Sequence, residues 1–438
     1  MKQIMVVGAG SVGGFFGAHL AKSNPQVSFL LRPRTLEAVK RKGLTIKSAK
    51  GNFTVHPPAA SDPRELATPD LIILAVKAYD LDQVMTQLEP VLTDRTVILT
   101  LQNGIDTEDR IIARLHRDCV VGGVAFIYSK IVEPGVIEHY KRGGVAIGEL
   151  MGHKSERVAH IAEIFKAAGI SCQLSDDIRK SKWEKMCWNC VFNPLTVVID
   201  DKVAKALDHP EMAGVIRQIV GEVAAVSAAV KVPLAPDMAE KVVKWTQELR
   251  DIHTSMYDDC KAGRPTEIDY LNGYIVRVGR ELGIPTPVNE ALTAMVKTIT
   301  EKDLSGPGIV RIDGAVVQPV SLTRAALGQL PQEQRVDDIS QMMPSMRGRA
   351  IRVQGLLEIP ALAVDADHVT FHSVDGKYAA TLTLQQARDF GLLLYELDGQ
   401  PLPDGKGGPY RLVTPGLGDL CANVKAVGRI EVRAGSGK

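Results

Sequence analysis

Cysteine and tryptophan are scarce in this sequence: six and three in 438 residues. The cysteines Cys119, Cys172, Cys187, Cys190, Cys260 and Cys421 are too dispersed for a disulfide framework. Cys187 and Cys190 form a C-x-x-C, but inside a helical pattern rather than at its start, so the positive helix end that activates a redox thiol is missing. No second Cys/His cluster completes a zinc site, so packing thiols and no metal are expected. A surplus of one charge is absent too. Lys and Arg number 52 against 51 Asp and Glu, a balance that offers no bulk attraction to nucleic acid or an acidic membrane surface. No apolar run is expected to reach the length of a membrane span. The chain reads as a strand almost from Met1, leaving no room for a leader. A cytoplasmic protein without nucleic-acid or membrane partners is therefore expected.

What is present is pattern. The length implies two or three domains. In the first third, "QIMVVG", "VSFLLR", "DLIILAV" and "TVILTLQN" are short apolar runs, each followed by a turn or an amphipathic segment. Strands alternating with helices predict a parallel, doubly wound sheet. "GLTIKSAKGNFTVHP" alternates about Lys50-Gly51 and predicts an inserted hairpin. From Ile178 to Asp303 strand signals vanish and helical periodicity takes over. After the breakers of "LSGPGIVRIDGAVVQP", strand-like segments return. The expected fold is an α/β Rossmann domain over 1–177, an all-α domain over 178–303, a linker over 304–315 and a mostly β domain over 316–438.

Gly8, Gly10 and Gly13 spell G-x-G-x-x-G between a strand and a helix, the context that gives this pattern meaning. There the glycines let backbone approach a dinucleotide pyrophosphate at the positive end of the helix. At the end of the second strand, where an acid would hold the ribose of NAD, the chain reads "FLLRPR". Arg32 and Arg34 suit the 2′-phosphate of NADP, since a guanidinium holds phosphate bidentately. A solvent-facing arginine is the alternative, for Arg34 more than for Arg32.

In "KWEKMCWNCVFNPLT", Lys185, Asn189 and Asn193 recur every four residues and form one polar stripe on an otherwise apolar helix. Buried amides and ammonium groups are costly without partners. From these residues alone, a structural hydrogen-bond network and a ligand site are both open.

Together with "AVKAYD", "LQNGID", "SMYDD" and "RPTEIDYLNG", these segments resemble the ketopantoate reductases (2-dehydropantoate 2-reductases), over residues 1 to about 302. The resemblance implies NADPH-dependent reduction of 2-dehydropantoate to pantoate, in pantothenate and coenzyme A biosynthesis. It also implies a Rossmann and a helical domain, with NADPH and a small 2-oxo acid as ligands. By motif it puts Gly8, Ala9, Gly10, Ser11, Val12, Gly13, Arg32, Lys77 and Asn103 at the cofactor. Asn103, Asn189, Asn193 and Ser255 fall to the substrate, and Lys185 and Glu267 to catalysis. An ammonium suits this reaction on chemical grounds, since it can stabilise charge on the carbonyl oxygen and donate a proton.

The sequence departs from the family at two places. "VVIDDKVAKAL" follows "NPLT" without the family's Asn-Gly turn, and Ile252 occupies a position where relatives can carry a polar group. Another branched 2-oxo acid is thus an alternative substrate, and a non-catalytic NADPH sensor or scaffold an alternative role. A homodimer is the assembly to be tested. The tail resembles a sulfite-oxidase-type molybdopterin-binding domain in "SVDGKYAATLTLQQARDFGLLLYELDGQPLPDGKGGPYRLVTPG". It lacks the upstream metal-ligand cysteine, so a degenerate domain without molybdenum is expected.

Overall fold

The structure, a computed structural model, describes residues 1–153, 155–303, 308–316, 319–344, 346–360, 362–363, 365–417 and 423–435. It divides into two units. One comprises Met1–Leu195, Lys202–Ile252 and Glu267–Thr293, the other Thr196–Asp201, His253–Thr266 and Ala294–Lys438.

In the first unit the strands β1 (Ile4–Val7), β2 (Val27–Leu30), β6 (Leu71–Leu74) and β7 (Val97–Thr100) are buried at every residue. They are apolar on both faces because both faces are covered. Ile4, Val6 and Ile73 pack into one layer with Phe16 of α1 (Ser11–Ser23) and Phe165 of α5 (Glu156–Ala167). Met5, Val7 and Ile72 pack into the other, with Met85 of α3 (Leu81–Leu88) and Ile111 of α4 (Thr107–Leu115). Each fully buried aliphatic contributes about 1.5–3 kcal/mol. Truncating Ile73 to alanine would cost about 2–5 kcal/mol.

The sheet continues through β8 (Val120–Glu133), β9 (Val136–Gly148), β3 (Leu44–Ser48) and β4 (Phe53–Val55), with β5 (Ala59–Ala60) at the far edge and β10 (Ser171–Leu174) on β9. The run β5-β2-β1-β6-β7-β8 is parallel. Its order reverses at β1, which puts a ligand crevice at the carboxyl ends of β1 and β6. The hairpin expected about Lys50-Gly51 is β3–β4.

Helix α6 (Ile178–Val198) opens the helical region, its Lys180 N–H capped by Asp177. Pro194 lies inside it and cannot donate to the Cys190 carbonyl. The Asn272 Nδ2 donates to that carbonyl instead, at 2.9 Å, so the proline is accommodated without an orphaned acceptor. Cys187 and Cys190 are fully buried and free, and burial pushes the Cys187 thiol up to about 12, as packing thiols require.

One expectation changes here. The helix Met212–Ala229 has a mean hydropathy of 1.3 and is, by length and composition, long and apolar enough to cross a membrane. Its buried residues Ile216, Ile219, Val220, Val223 and Val226 recur at helical spacing, and it packs against Met238–Thr246 and Asn272–Leu282.

The tail in the second unit is mostly β, as expected. One sheet orders Val320–Thr323, Ile309–Gly314, Val427–Ala434, Ala366–Ser373 and Ala379–Thr383. A second holds Arg335–Val336, Gly348–Arg352, Leu392–Leu397 and Gln400–Pro401, with Arg411–Val413 against Leu392–Leu397.

The expected linker changes too. Residues 304–307 lie outside the described residues, but Ile309–Gly314 is a central strand, with Val310 and Ile312 in the core. Flanking glycines and a proline mask its two-residue alternation. The tail is also less separate than a linker implies. A Cβ placed on Gly263, in the loop after helix Ser255–Lys261, would meet the Ser321 carbonyl at 3.3 Å.

Candidate active site

The glycine turn is built by close approach. Gly8 has φ +92°, and a Cβ on Gly13 would fall 2.1 Å from the Gly8 carbonyl. Gly10, the residue before α1, differs: a Cβ there would meet nothing within 4 Å, and no side chain caps the helix. The first-turn N–H groups of Ser11, Val12 and Gly13 therefore border open space, which fits a pyrophosphate.

Arg32 follows β2, 70% exposed, and pairs with the buried Asp80 at 2.7 Å. Burial pushes the Asp80 carboxyl up, and the Arg32 charge opposes this. A 2′-phosphate at Arg32 would share the guanidinium with that carboxylate.

A second cluster forms beyond β6. The buried Glu267 accepts from Lys77 Nζ at 3.2 Å, from the Ala78 N–H at 3.0 Å and from Asn103 Nδ2 at 3.4 Å. Three donors on one carboxylate bring together segments 190 residues apart in sequence, since Lys77 and Glu267 are separated by that number.

Asn103 also lines a small void with Gln102, Lys182, Lys185, Met186 and Asn189. Lys185 and Asn189 of the stripe on α6 thus face this void, without Asn193, and its volume of ≈ 10 Å³ holds about one water. A 2-oxo acid would have to part these walls. Lys185 Nζ donates to the Ala125 carbonyl at 3.0 Å. Burial pushes its ammonium down to about 8, with Glu267 opposing the shift and Lys182 adding to it. Asn189 is buried, and its amide has no hydrogen-bond partner among the described residues. Asn193 is buried farther along α6 and has a partner. Ser255 starts its helix in the second unit, beside Thr254, which bonds Thr196 at 2.7 Å.

Sequence reasoning missed the ion pair beneath the void. Lys182 is bonded to both oxygens of Glu108, and Thr100 donates to the same carboxylate, all of them buried. Lys182 lies three residues before Lys185 on the same stripe, a signal available in the sequence. Glu108 gave none, because "TEDR" reads as a solvated first helical turn. Asp80 and Asn272 were missed as well, both inside quoted motifs. Of the two departures, Ile252 is buried, while the turn after α6 places Asp200 at φ +52°, a conformation Asn or Asp tolerates.

The sheet, the glycine turn and the convergent polar cluster define a Rossmann-type oxidoreductase. Family models agree. "Ketopantoate reductase PanE/ApbA" matches residues 4–152, its C-terminal counterpart matches 177–300, and "Oxidoreductase molybdopterin binding domain" matches 309–436. The 2-dehydropantoate 2-reductase of Pyrococcus horikoshii is 30% identical over 297 residues, 67% of this chain and 96% of that protein. The crystal structure of 2-dehydropantoate 2-reductase from Methylococcus capsulatus is 34% identical with a TM-score of 0.63, covering 69% of this chain and 97% of that one. A D-mandelate dehydrogenase bound to NADH and anilino(oxo)acetate is 27% identical with a TM-score of 0.65, covering 69% and 99%. The chain belongs to the ketopantoate reductase family and carries a C-terminal molybdopterin-binding-type domain in addition.

Proposed function

We propose that this chain reduces 2-dehydropantoate to pantoate with NADPH, for pantothenate and coenzyme A synthesis. The observation that carries this reading is the half-buried Lys185 ammonium, its proton loosened to about pH 8, beside the unpartnered Asn189 amide. Gly8, Ala9, Gly10, Ser11, Val12 and Gly13 would hold the pyrophosphate, Arg32 the 2′-phosphate, and Lys77 and Asn103 the nicotinamide end. NADPH, when bound, supplies a hydride to the ketone carbon.

The chain supplies the rest. Lys185 orients the carbonyl oxygen, offsets the charge developing on it and donates the proton that completes the alcohol. Asn189 and Asn193 offer amide groups to the substrate carboxylate and hydroxyl. Glu267 keeps Lys77 and Asn103 oriented, and its negative charge favours the protonated form of Lys185.

A second reading, another branched or an aromatic 2-oxo acid, draws on the buried Ile252 and on the likeness to D-mandelate dehydrogenase. One assay decides between them: NADPH and NADH oxidation across ketopantoate, 2-oxoisovalerate and phenylglyoxylate. Ketopantoate should give the highest kcat/KM. A larger value for either other acid selects the second reading, and NADPH binding without turnover of any acid selects the sensor. The same reading carries a cytoplasmic location and a homodimer, read by cell fractionation and light scattering. Rescue of a pantothenate auxotroph tests the pathway.

A further inference from the structure

The tail's family implies molybdopterin, and the donors among the described residues of the tail do not fit its metal. The sole cysteine of residues 309–436 is Cys421, which lies outside the described residues. Among the described residues no group of three His, Cys, Asp or Glu could hold a metal ion. His368 is engaged by Asp367 at 2.7 Å and His372 by Glu431 at 3.1 Å. Soft thiolate ligation has no substitute here.

The tail nevertheless contains a cavity of ≈ 520 Å³, within the range of small-molecule sites. Three guanidinium groups line it, those of Arg324, Arg335 and Arg349, against two carboxylates, Asp337 and Glu396. Arg324 is exposed and has no hydrogen bond or ion pair among the described residues. Arg335 is held in place by the Gly328 carbonyl at 3.0 Å and by Gln332, and its buried Nε has no acceptor among the described residues. Arg349 pairs loosely with Glu396, at 3.5 Å, which leaves most of its fork free. A second observation points to a ligand independently. Tyr395 is only 5% exposed, burial keeps its phenol protonated, and its hydroxyl has no hydrogen-bond partner among the described residues although the side chain lines the cavity.

Guanidinium forks match phosphate bidentately. Asp337 accepts from Gln332 and Glu396 faces Arg349, and each carboxylate keeps acceptor capacity for donors on the same ligand. We propose that this cavity binds a small hydroxylated phosphate ester, with Arg324 and Arg349 on the phosphate, Tyr395 donating to it, and Asp337 and Glu396 accepting from hydroxyl groups. Neither a bare anion nor a neutral polyol satisfies both sets of groups.

The test is calorimetric titration of the full chain with ribose 5-phosphate and glycerol 3-phosphate, using ribose and inorganic phosphate as comparators. Saturating NADP⁺ is kept present so that the glycine turn cannot supply the signal. Saturable binding of at least one ester, about tenfold or more tighter than ribose or phosphate, is expected. Arg324→Ala should weaken it about tenfold, and Tyr395→Phe by about threefold. Arg324 holds no partner and Tyr395→Phe preserves the buried ring, so an unchanged melting temperature certifies both folds. No saturable binding of either ester overturns the proposal, as does binding that both variants leave unchanged, or esters bound no better than inorganic phosphate.

Discussion

The two units treat charge in opposite ways. On one sheet face of the tail, charges form a ladder: Arg311 pairs with Asp313, Asp313 with Arg429, Arg429 with Glu431, and Glu431 with Arg433 and His372. Each charge is met by its neighbour across or along a strand, as structural sheet pairs are. In the first unit, Lys77, Asn103 and the Ala78 amide converge on the single carboxylate of Glu267, and Lys185 rests on a backbone carbonyl with no carboxylate bonded to it among the described residues. The contrast recurs within one turn of α6. Lys182 is fully neutralised by Glu108, while Lys185 is left with burial and distant charges. Chemistry is therefore expected where pairing is incomplete, and scaffold where it is complete.

The largest expected effect breaks that contrast from the scaffold side. Glu108→Gln strands the Lys182 ammonium in a buried place and should lower stability by about 3–5 kcal/mol in denaturant unfolding. The apolar pair Lys182→Met with Glu108→Leu should recover most of the loss. Next is the chemical side: Lys185→Ala should lower kcat by about 10² or more and leave the NADPH Kd nearly unchanged. Near-normal turnover would return Lys185 to the scaffold class.

Arg32→Ala should weaken NADPH about tenfold and NADH much less, because only the former carries the 2′-phosphate. Equal losses, read by fluorescence titration, would mean that the Asp80 pair is the whole role of Arg32. The smallest effect is a shift in pH. Lys185 donates only while protonated, so kcat for reduction should be level below about pH 8 and fall above it. Glu267 holds that pKa up and Lys182 holds it down. Glu267→Gln should therefore move the falling limb to lower pH. A limb that moves upward would contradict the assigned geometry.

Most of the Rossmann layout and the polar stripe were legible because both rest on local periodicity and on glycine spacing. "DLIILAV" can be buried on both faces only as a central strand, and Lys185, Asn189 and Asn193 share a face whatever packs against it. What escaped depended on distant partners. Glu108 looks like a solvated residue until Lys182 is brought onto it, and Asn272 has meaning only against the carbonyl that Pro194 leaves free. "IVRIDG" alternates as a strand does, but its neighbouring breakers concealed a core position. The two arginines of "FLLRPR" suggested a free phosphate site, whereas Asp80 already engages Arg32, a contact between segments that no window around position 32 contains.

The lowered pKa of Lys185 has a further effect on its reactivity. An ordinary lysine is almost wholly charged at pH 7, whereas one that titrates near 8 presents about one neutral amine in ten. A neutral amine beside a ketone is a nucleophile, so a reductase of this design carries a built-in hazard of condensing with the compound it is meant to reduce. The Ala125 carbonyl accepts an N–H from Lys185 and so fixes where the nitrogen sits. Borohydride added with a slow-reacting 2-oxo acid would reduce any imine formed at Lys185 to a secondary amine, read as a mass increase on the peptide that carries this residue.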